Sequence, residues 1–133
     1  MVATLTLGEV MTPSPKTISP HARLSDAAAL MEELGINHLP IVDNGVVESI
    51  ITDRDIKRFT LPAHKLADEE DLLTSDVGST RAIVADIHDP LPDVLRHMVA
   101  QNSEAVAVLD QGELVGIFTE SDACRVLADL LSI

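Results

Sequence analysis

The strongest constraint on this chain is that its pattern is written twice. Displacing the sequence by 67 residues lays positions 21–58 on 88–125 without a gap. Ten of those 38 positions are identical: His21/His88, Leu24/Leu91, Asp26/Asp93, Met31/Met98, Asp43/Asp110, Gly45/Gly112, Ile50/Ile117, Thr52/Thr119, Asp55/Asp122 and Arg58/Arg125. Average residue usage would give roughly two by chance. Most other core positions exchange one apolar side chain for another, as in Ile41/Val108, Val47/Leu114 and Ile51/Phe118. Val10/Val77 and Thr12/Ser79 keep the register upstream. A repeat of this kind decides the fold before any single element is considered.

Each copy reads alike. Ala27, Leu30, Met31 and Leu34 fall on one helical face, which predicts a helix over roughly 24–34; Leu91, Val94, Leu95 and Met98 do the same in the second copy. Apolar runs at 39–42 and 105–109 lead into Asp43-Asn44-Gly45 and Asp110-Gln111-Gly112, and second runs at 46–51 and 114–118 complete a β-hairpin. Thr119 then opens a helix with the apolar stripe Ala123, Val126, Leu127 and Leu130. Short β-branched pieces, Thr17-Ile18 and Ile83-Val84, precede each first helix. The unit is therefore β-α-β-β-α. We place the first repeat at 8–62, a linker at 63–76 and the second repeat at 77–131. A unit of about 60 residues buries too little surface to be comfortable alone, so the copies are expected to share one core face to face. The connection between them carries Pro62 and the acidic run Asp68-Glu69-Glu70-Asp71 and reads as an exposed, solvated stretch.

Composition narrows the function classes. With 46% apolar residues, the 133-residue chain has enough for a real core. Nine Lys+Arg against 22 Asp+Glu give a net charge of −13. That balance argues against nucleic-acid and anionic-membrane partners, both of which are held by Lys and Arg. Trp and Tyr are absent and Phe occurs twice, so no base-stacking platform exists. Cys124 is the one cysteine, which excludes an internal disulfide and a cysteine-based zinc site. Its place beside Ala123 on the last helix suits an inert thiol. The N-terminus lacks a basic segment followed by a long apolar run, and no stretch reaches membrane-span length. The expected setting is the cytoplasm.

The informative short pattern also occurs twice, as Thr52-Asp53-Arg54-Asp55 and Thr119-Glu120-Ser121-Asp122, each after an apolar strand and opening a helix. One role is local: the Thr hydroxyl caps an orphan amide, and the carboxylate three residues on reaches back to the cap amide. A second role builds on the first. A helix N-terminus offers N–H groups and a positive dipole end to phosphate, and a neighbouring carboxylate accepts hydrogen bonds from ribose hydroxyls. Charge separates the copies. Arg54, Lys57 and Arg58 lie within five positions on the first helix, whereas the second keeps only Arg125. In a chain this acidic, the first cluster is the place suited to a polyanionic small molecule, although an amphipathic surface helix carries such charges too. Gly35-Ile36-Asn37-His38-Leu39-Pro40 joins helix to strand, with Gly35 at a natural helix end and Pro40 leaving neighbouring backbone groups for a base edge.

Val10-Met11-Thr12, Gly35 through Asp43 and the paired Thr-x-x-Asp junctions together resemble a tandem pair of cystathionine-β-synthase (CBS) domains, a Bateman module, over residues 8–130. The resemblance implies an α+β fold of two β-α-β-β-α repeats packed sheet to sheet around a pseudo-two-fold axis. It implies a regulatory module that binds an adenosine nucleotide (AMP, ADP or ATP, with S-adenosylmethionine or NAD as further options) in the cleft between repeats. It also implies a disc-like homodimer that transmits occupancy to a regulated protein. Carried over by motif, Asp55 holds ribose and Thr52 the phosphate end, with Arg54, Lys57 and Arg58 nearby. Thr17, Ile18, Asn37, His38, Leu39 and Pro40 surround the adenine. Thr119 and Asp122, with Val84, Ala105 and Val106, form the equivalent second site. There the pattern departs: Asn102-Ser103-Glu104-Ala105-Val106-Ala107 replaces the Gly-Ile-Asn-His-Leu-Pro run, and Glu104 adds negative charge. The first site is therefore expected to bind better.

His21, His38, His64, His88 and His97 show no metal-ligand spacing, and no nucleophile, P-loop or dinucleotide signature is present. The expectation is a non-enzymatic module that needs no cofactor and no metal. The competing reading is a structural dimerisation scaffold that holds no ligand.

Overall fold

Two copies of one apolar pattern should give two like sets of elements. The computed structural model describes residues 4–60, 72–78 and 83–132. Pro62, His64, the acidic run 68–71 and Ser79 lie outside the described residues. The order is α1 (Leu7–Val10), β1 (Thr12–Pro13), α2 (Leu24–Leu34), β2 (His38–Asp43), β3 (Val46–Thr52), α3 (Asp53–Thr60), α4 (Thr74–Val77), β4 (Ile83–Asp86), α5 (Leu91–Gln101), β5 (Ala105–Asp110), β6 (Glu113–Thr119) and α6 (Glu120–Leu131). The architecture is α+β, as the duplicated pattern predicts.

Local chemistry sets the boundaries. Helix α2 ends on Gly35 in the left-handed region, and α5 ends on its counterpart Asn102 in the same conformation. The hairpin turns carry φ of 50° and 81° at Asn44 and Gly45, and 51° and 84° at Gln111 and Gly112. Two consecutive positive φ values match the right-handed twist of the flanking strands. Both hairpins shift register at equivalent places, between Ile41 and Val42 and between Val108 and Leu109.

The repeats differ at their first strand. In the second, β4 runs parallel to β5 through four residue pairs from Ile83↔Val106 to Asp86↔Leu109, and Ile87 N donates to Leu109 O at 2.8 Å. In the first, only the bridge Ile18↔Ile41 forms, with Ile18 N donating to Pro40 O and Val42 N to Ile18 O. Proline explains the loss. Pro20 stands where Ile87 donates, and Pro40 stands where Ala107 offers an amide, so each end of this short ladder lacks a donor.

The chain divides into two compact units, Lys16–Ala82 and a second made of Met1–Pro15 with Ile83–Ile133. Each unit thus takes its docking helix from the segment that precedes the other repeat. In one, Leu7 N donates to Asp89 O, Gly8 N to Ile87 O and Leu91 N to Leu5 O. In the other, Thr74 N donates to Ala22 O, Ser75 N to Pro20 O and Leu24 N to Leu72 O. Every member of one set is displaced by 67 from its counterpart. The sheet of the unit holding the second repeat is ordered β1-β6-β5-β4, while the other contains the hairpin β2-β3.

Each unit has its own core. Leu24, Ala27, Met31, Leu39, Ile41, Ile51, Ile56 and Val77 form one, and Leu7, Leu91, Val94, Met98, Val106, Val108 and Phe118 the other. Helix α6 covers only part of its stripe. Ala123 and Val126 pack on the core, but Leu127 and Leu130 remain 56% and 48% exposed.

Gly8 is where the α1 dock is tightest. A Cβ there would lie 2.4 Å from Ile87 Cγ1 and 3.0 Å from the Ile87 carbonyl oxygen, which accepts the Gly8 amide. Backbone cannot yield as a flexible side chain does, so Gly8→Ala is expected to cost about 1–3 kcal/mol by overpacking. Denaturant unfolding checks this, with Ser75→Ala, the exposed counterpart on α4, as a near-neutral control.

Candidate functional site

In the unit holding the first repeat, the candidate site grows from the junction of β3 and α3. Thr52 N donates to Asp55 Oδ2 at 3.0 Å, and Asp55 N donates to Thr52 Oγ1 at 3.2 Å. This is the reciprocal capping box that the sequence pattern predicts. Asp55 is 6% exposed, and its Oδ1 receives no hydrogen bond among the described residues. Thr52 Oγ1 accepts the cap bond, and among the described residues its hydroxyl donates no hydrogen bond.

The same capping narrows the phosphate role expected of the helix N-terminus. Asp55 N is committed to Thr52, and Asp53 N donates to Asn37 O at 3.0 Å. Two first-turn amides are therefore already used. The hairpin register sets His38 opposite Thr52, and the Ile18–Pro40 backbone bond brings Thr17 and Ile18 alongside β2. Thr17 and Asn37 are exposed. Leu39 and Pro40, expected around the adenine, are fully buried, and the Pro40 carbonyl already accepts from Ile18 N.

The three cations of α3 do not share one face. Lys57 pairs with Asp53 at 3.7 Å, one turn back. At 100° per residue that pair lies about 160° round the helix from Asp55, whereas Arg54 and Arg58 flank Asp55 on one side. All three basic side chains are exposed.

In the other unit, Asp122 is 3% exposed and heavily engaged. Its Oδ2 accepts from Thr119 N at 3.0 Å and from Thr119 Oγ1 at 3.3 Å. Its Oδ1 accepts from Thr12 Oγ1 at 3.1 Å and from Arg125 Nη2. Glu120 N donates to Glu104 O, repeating the Asp53–Asn37 bond. Ala105 stands opposite Thr119, and Val84 pairs with Ala107.

This unit also carries an open pocket of about 230 Å³ between β4 and α5. Val84 and Val106, both expected around a base, belong to its wall, but Ala105, Thr119 and Asp122 do not. Asp89, Asp93 and His97 supply its polar groups. Sequence reading missed them as a set; the available signal was Asp93 and His97 one helical turn apart. Two carboxylates make this hollow unsuited to a polyphosphate. Among the described residues, no group of three His, Cys, Asp or Glu side chains could hold a metal ion, and no helix is long and apolar enough to cross a membrane.

The CBS-domain family model matches residues 7–61 and again 74–129, so the chain belongs to the CBS-domain family and contains a tandem pair of these domains. The CBS domain-containing protein YhcV of Bacillus subtilis is 29% identical over 114 residues, covering 86% of this chain and 79% of YhcV. Homoserine O-acetyltransferase of Methanococcoides burtonii is 32% identical over 91% of this chain, which spans only 24% of that enzyme. The solved CBS domain pair of protein MJ0100, in complex with 5′-methylthioadenosine and S-adenosyl-L-methionine, superposes with a TM-score of 0.82 at 26% identity, covering 96% of this chain and 98% of that one.

Proposed function

We propose that the chain is a non-enzymatic ligand-sensing module that binds an adenosine nucleotide (AMP, ADP or ATP, or a relative such as S-adenosylmethionine or NAD) at the Thr52–Asp55 junction. The observation that carries this reading is the buried Asp55 carboxylate, held in place through one oxygen while the other takes no bond among the described residues. A fixed carboxylate suits the vicinal hydroxyls of ribose, which need an acceptor that does not move. The Thr52 hydroxyl with Arg54 and Arg58 suits a phosphate, and the exposed Thr17 and Asn37 leave room for a base beside β2. The adenosine compounds held by the MJ0100 pair support the ligand class.

The readout proposed is assembly with a second copy and through it a regulated protein. Leu127, Leu130 and Leu131 of α6 stand 56%, 48% and 76% exposed, an apolar strip that a second copy would cover.

A thermal shift scan tests the ligand reading. A ligand at about 100 times its Kd adds about 2.7 kcal/mol to the folded state. For a chain of this size that raises the midpoint on the order of 10 °C. The expected result is such a rise with at least one of AMP, ADP, ATP, NAD or S-adenosylmethionine. No rise with any of them at millimolar concentration favours the scaffold, and turnover of any of them refutes the non-enzymatic assignment.

A further inference from the structure

We infer that Arg125 and Thr12 act as built-in occupants of the second repeat's carboxylate, so that the chain takes one adenosine-type ligand, at Asp55, and none at Asp122. The inference rests on the proposed function and concerns which residue sets its stoichiometry.

The sequence does not tell whether either arginine pairs with its aspartate, because Arg58 and Arg125 stand at the same offset from them. The structure separates them. A carboxylate offers about four acceptor positions. Asp122 has four donors on it: the Thr119 amide, the Thr119 hydroxyl, the Thr12 hydroxyl and the Arg125 guanidinium. A ribose diol brings two more donors and finds no lone pair to receive them. Asp55 has the cap amide alone among the described residues, which do not include Ser79, the counterpart of Thr12. Arg58 is described and makes no ion pair with Asp55, so the contrast is carried by Arg125. The Thr hydroxyls differ in the same sense, since the Thr119 proton is directed inward to Asp122.

The occupants are removable. The Arg125 side chain is 59% exposed and Thr12 is exposed, so neither is needed to fill a core. The carboxylate they cover is only 4% exposed, so its remaining bonds to Thr119 have to hold it once they are gone. Removing both would leave Asp122 capped by Thr119 with its Oδ1 available, which is the arrangement now found at Asp55.

The experiment is calorimetric titration of the full chain with 5′-methylthioadenosine, which has the ribose and no phosphate, and with AMP. The uncharged probe separates the loss of an occupant from the loss of a cation. Wild type is expected to bind one equivalent per chain. Arg125→Met/Thr12→Val is expected to bind two, the second at least 10-fold tighter than any second event in wild type. Adding Asp55→Ala should return the count to one, and adding Asp122→Ala as well should abolish it. Arg125→Lys, which restores the charge, should keep one equivalent. Should the double variant destabilise the fold, Arg125→Gln alone is expected to gain a weaker second event. A single equivalent in every Arg125 variant, or two in wild type, overturns the inference while leaving the sensor reading intact. No binding by any chain refutes both.

Discussion

Asp55→Ala is expected to weaken binding of adenosine ligands about 100-fold or more, whereas Asp122→Ala should barely change affinity and should instead destabilise the chain. The two residues occupy equivalent places in the sequence, but their hydrogen bonds differ. Removing Asp55 takes away the acceptor for two ribose hydroxyls, each bond to a charged group being worth about 1.5–3 kcal/mol. Its structural role is one half of a capping box, whose loss costs about 1 kcal/mol. Asp122 joins α6, through Arg125 and the Thr119 cap, to Thr12 on β1. Its loss strands the half-buried Thr119 amide and leaves the Thr12 hydroxyl without its acceptor, at a cost of about 1–3 kcal/mol. Calorimetry and denaturant unfolding on both variants check the contrast. The reverse order of affinities would reject it.

Phe118→Ala is expected to be the most destabilising single truncation in the unit that holds the second repeat, at about 3–5 kcal/mol. Phe118 is fully buried and sits on β6, between β1 and β5. It faces Val106 across the hairpin and belongs to the same core cluster as Leu7, which arrives from the N-terminal segment. The cavity left by a benzyl group cannot close without moving either the sheet or α1. The expected signature is a lower denaturant midpoint at unchanged slope. A loss below about 1 kcal/mol would show that the core is far looser than its burial indicates. Ile51→Ala, at the counterpart in the first repeat, offers the smaller comparison, since a smaller side chain leaves a smaller cavity.

Much of the candidate site is legible in the sequence. The Thr-x-x-Asp spacing specified the capping boxes, because a side chain three residues on can reach only the cap amide. Gly35 specified a helix end and Asn44-Gly45 a hairpin, because those backbone conformations exclude most residues. The basic cluster was legible only as a count. Its partition into Arg54 and Arg58 on one side and Lys57 with Asp53 on the other follows from helical rotation and a pairing. The exposed half of the α6 stripe was not legible either: periodicity marks an apolar face and does not say how much of it the unit's own sheet covers.

By itself the sequence determined two α+β repeats, their hairpins and caps, and the residues at each strand-to-helix junction. These are short-range matters, settled within a few residues by backbone conformation and apolar period. Only the tertiary structure decided that α1 docks with the second repeat and α4 with the first, and that Asp122 is saturated while Asp55 keeps an oxygen available among the described residues. The docking of α1 and the Thr12 bond that completes the set on Asp122 span some 80 to 110 positions of the chain, and the docking of α4 spans 48 to 55. No local pattern records such a pairing, because the partner that satisfies a donor is fixed by where the folded backbone brings it.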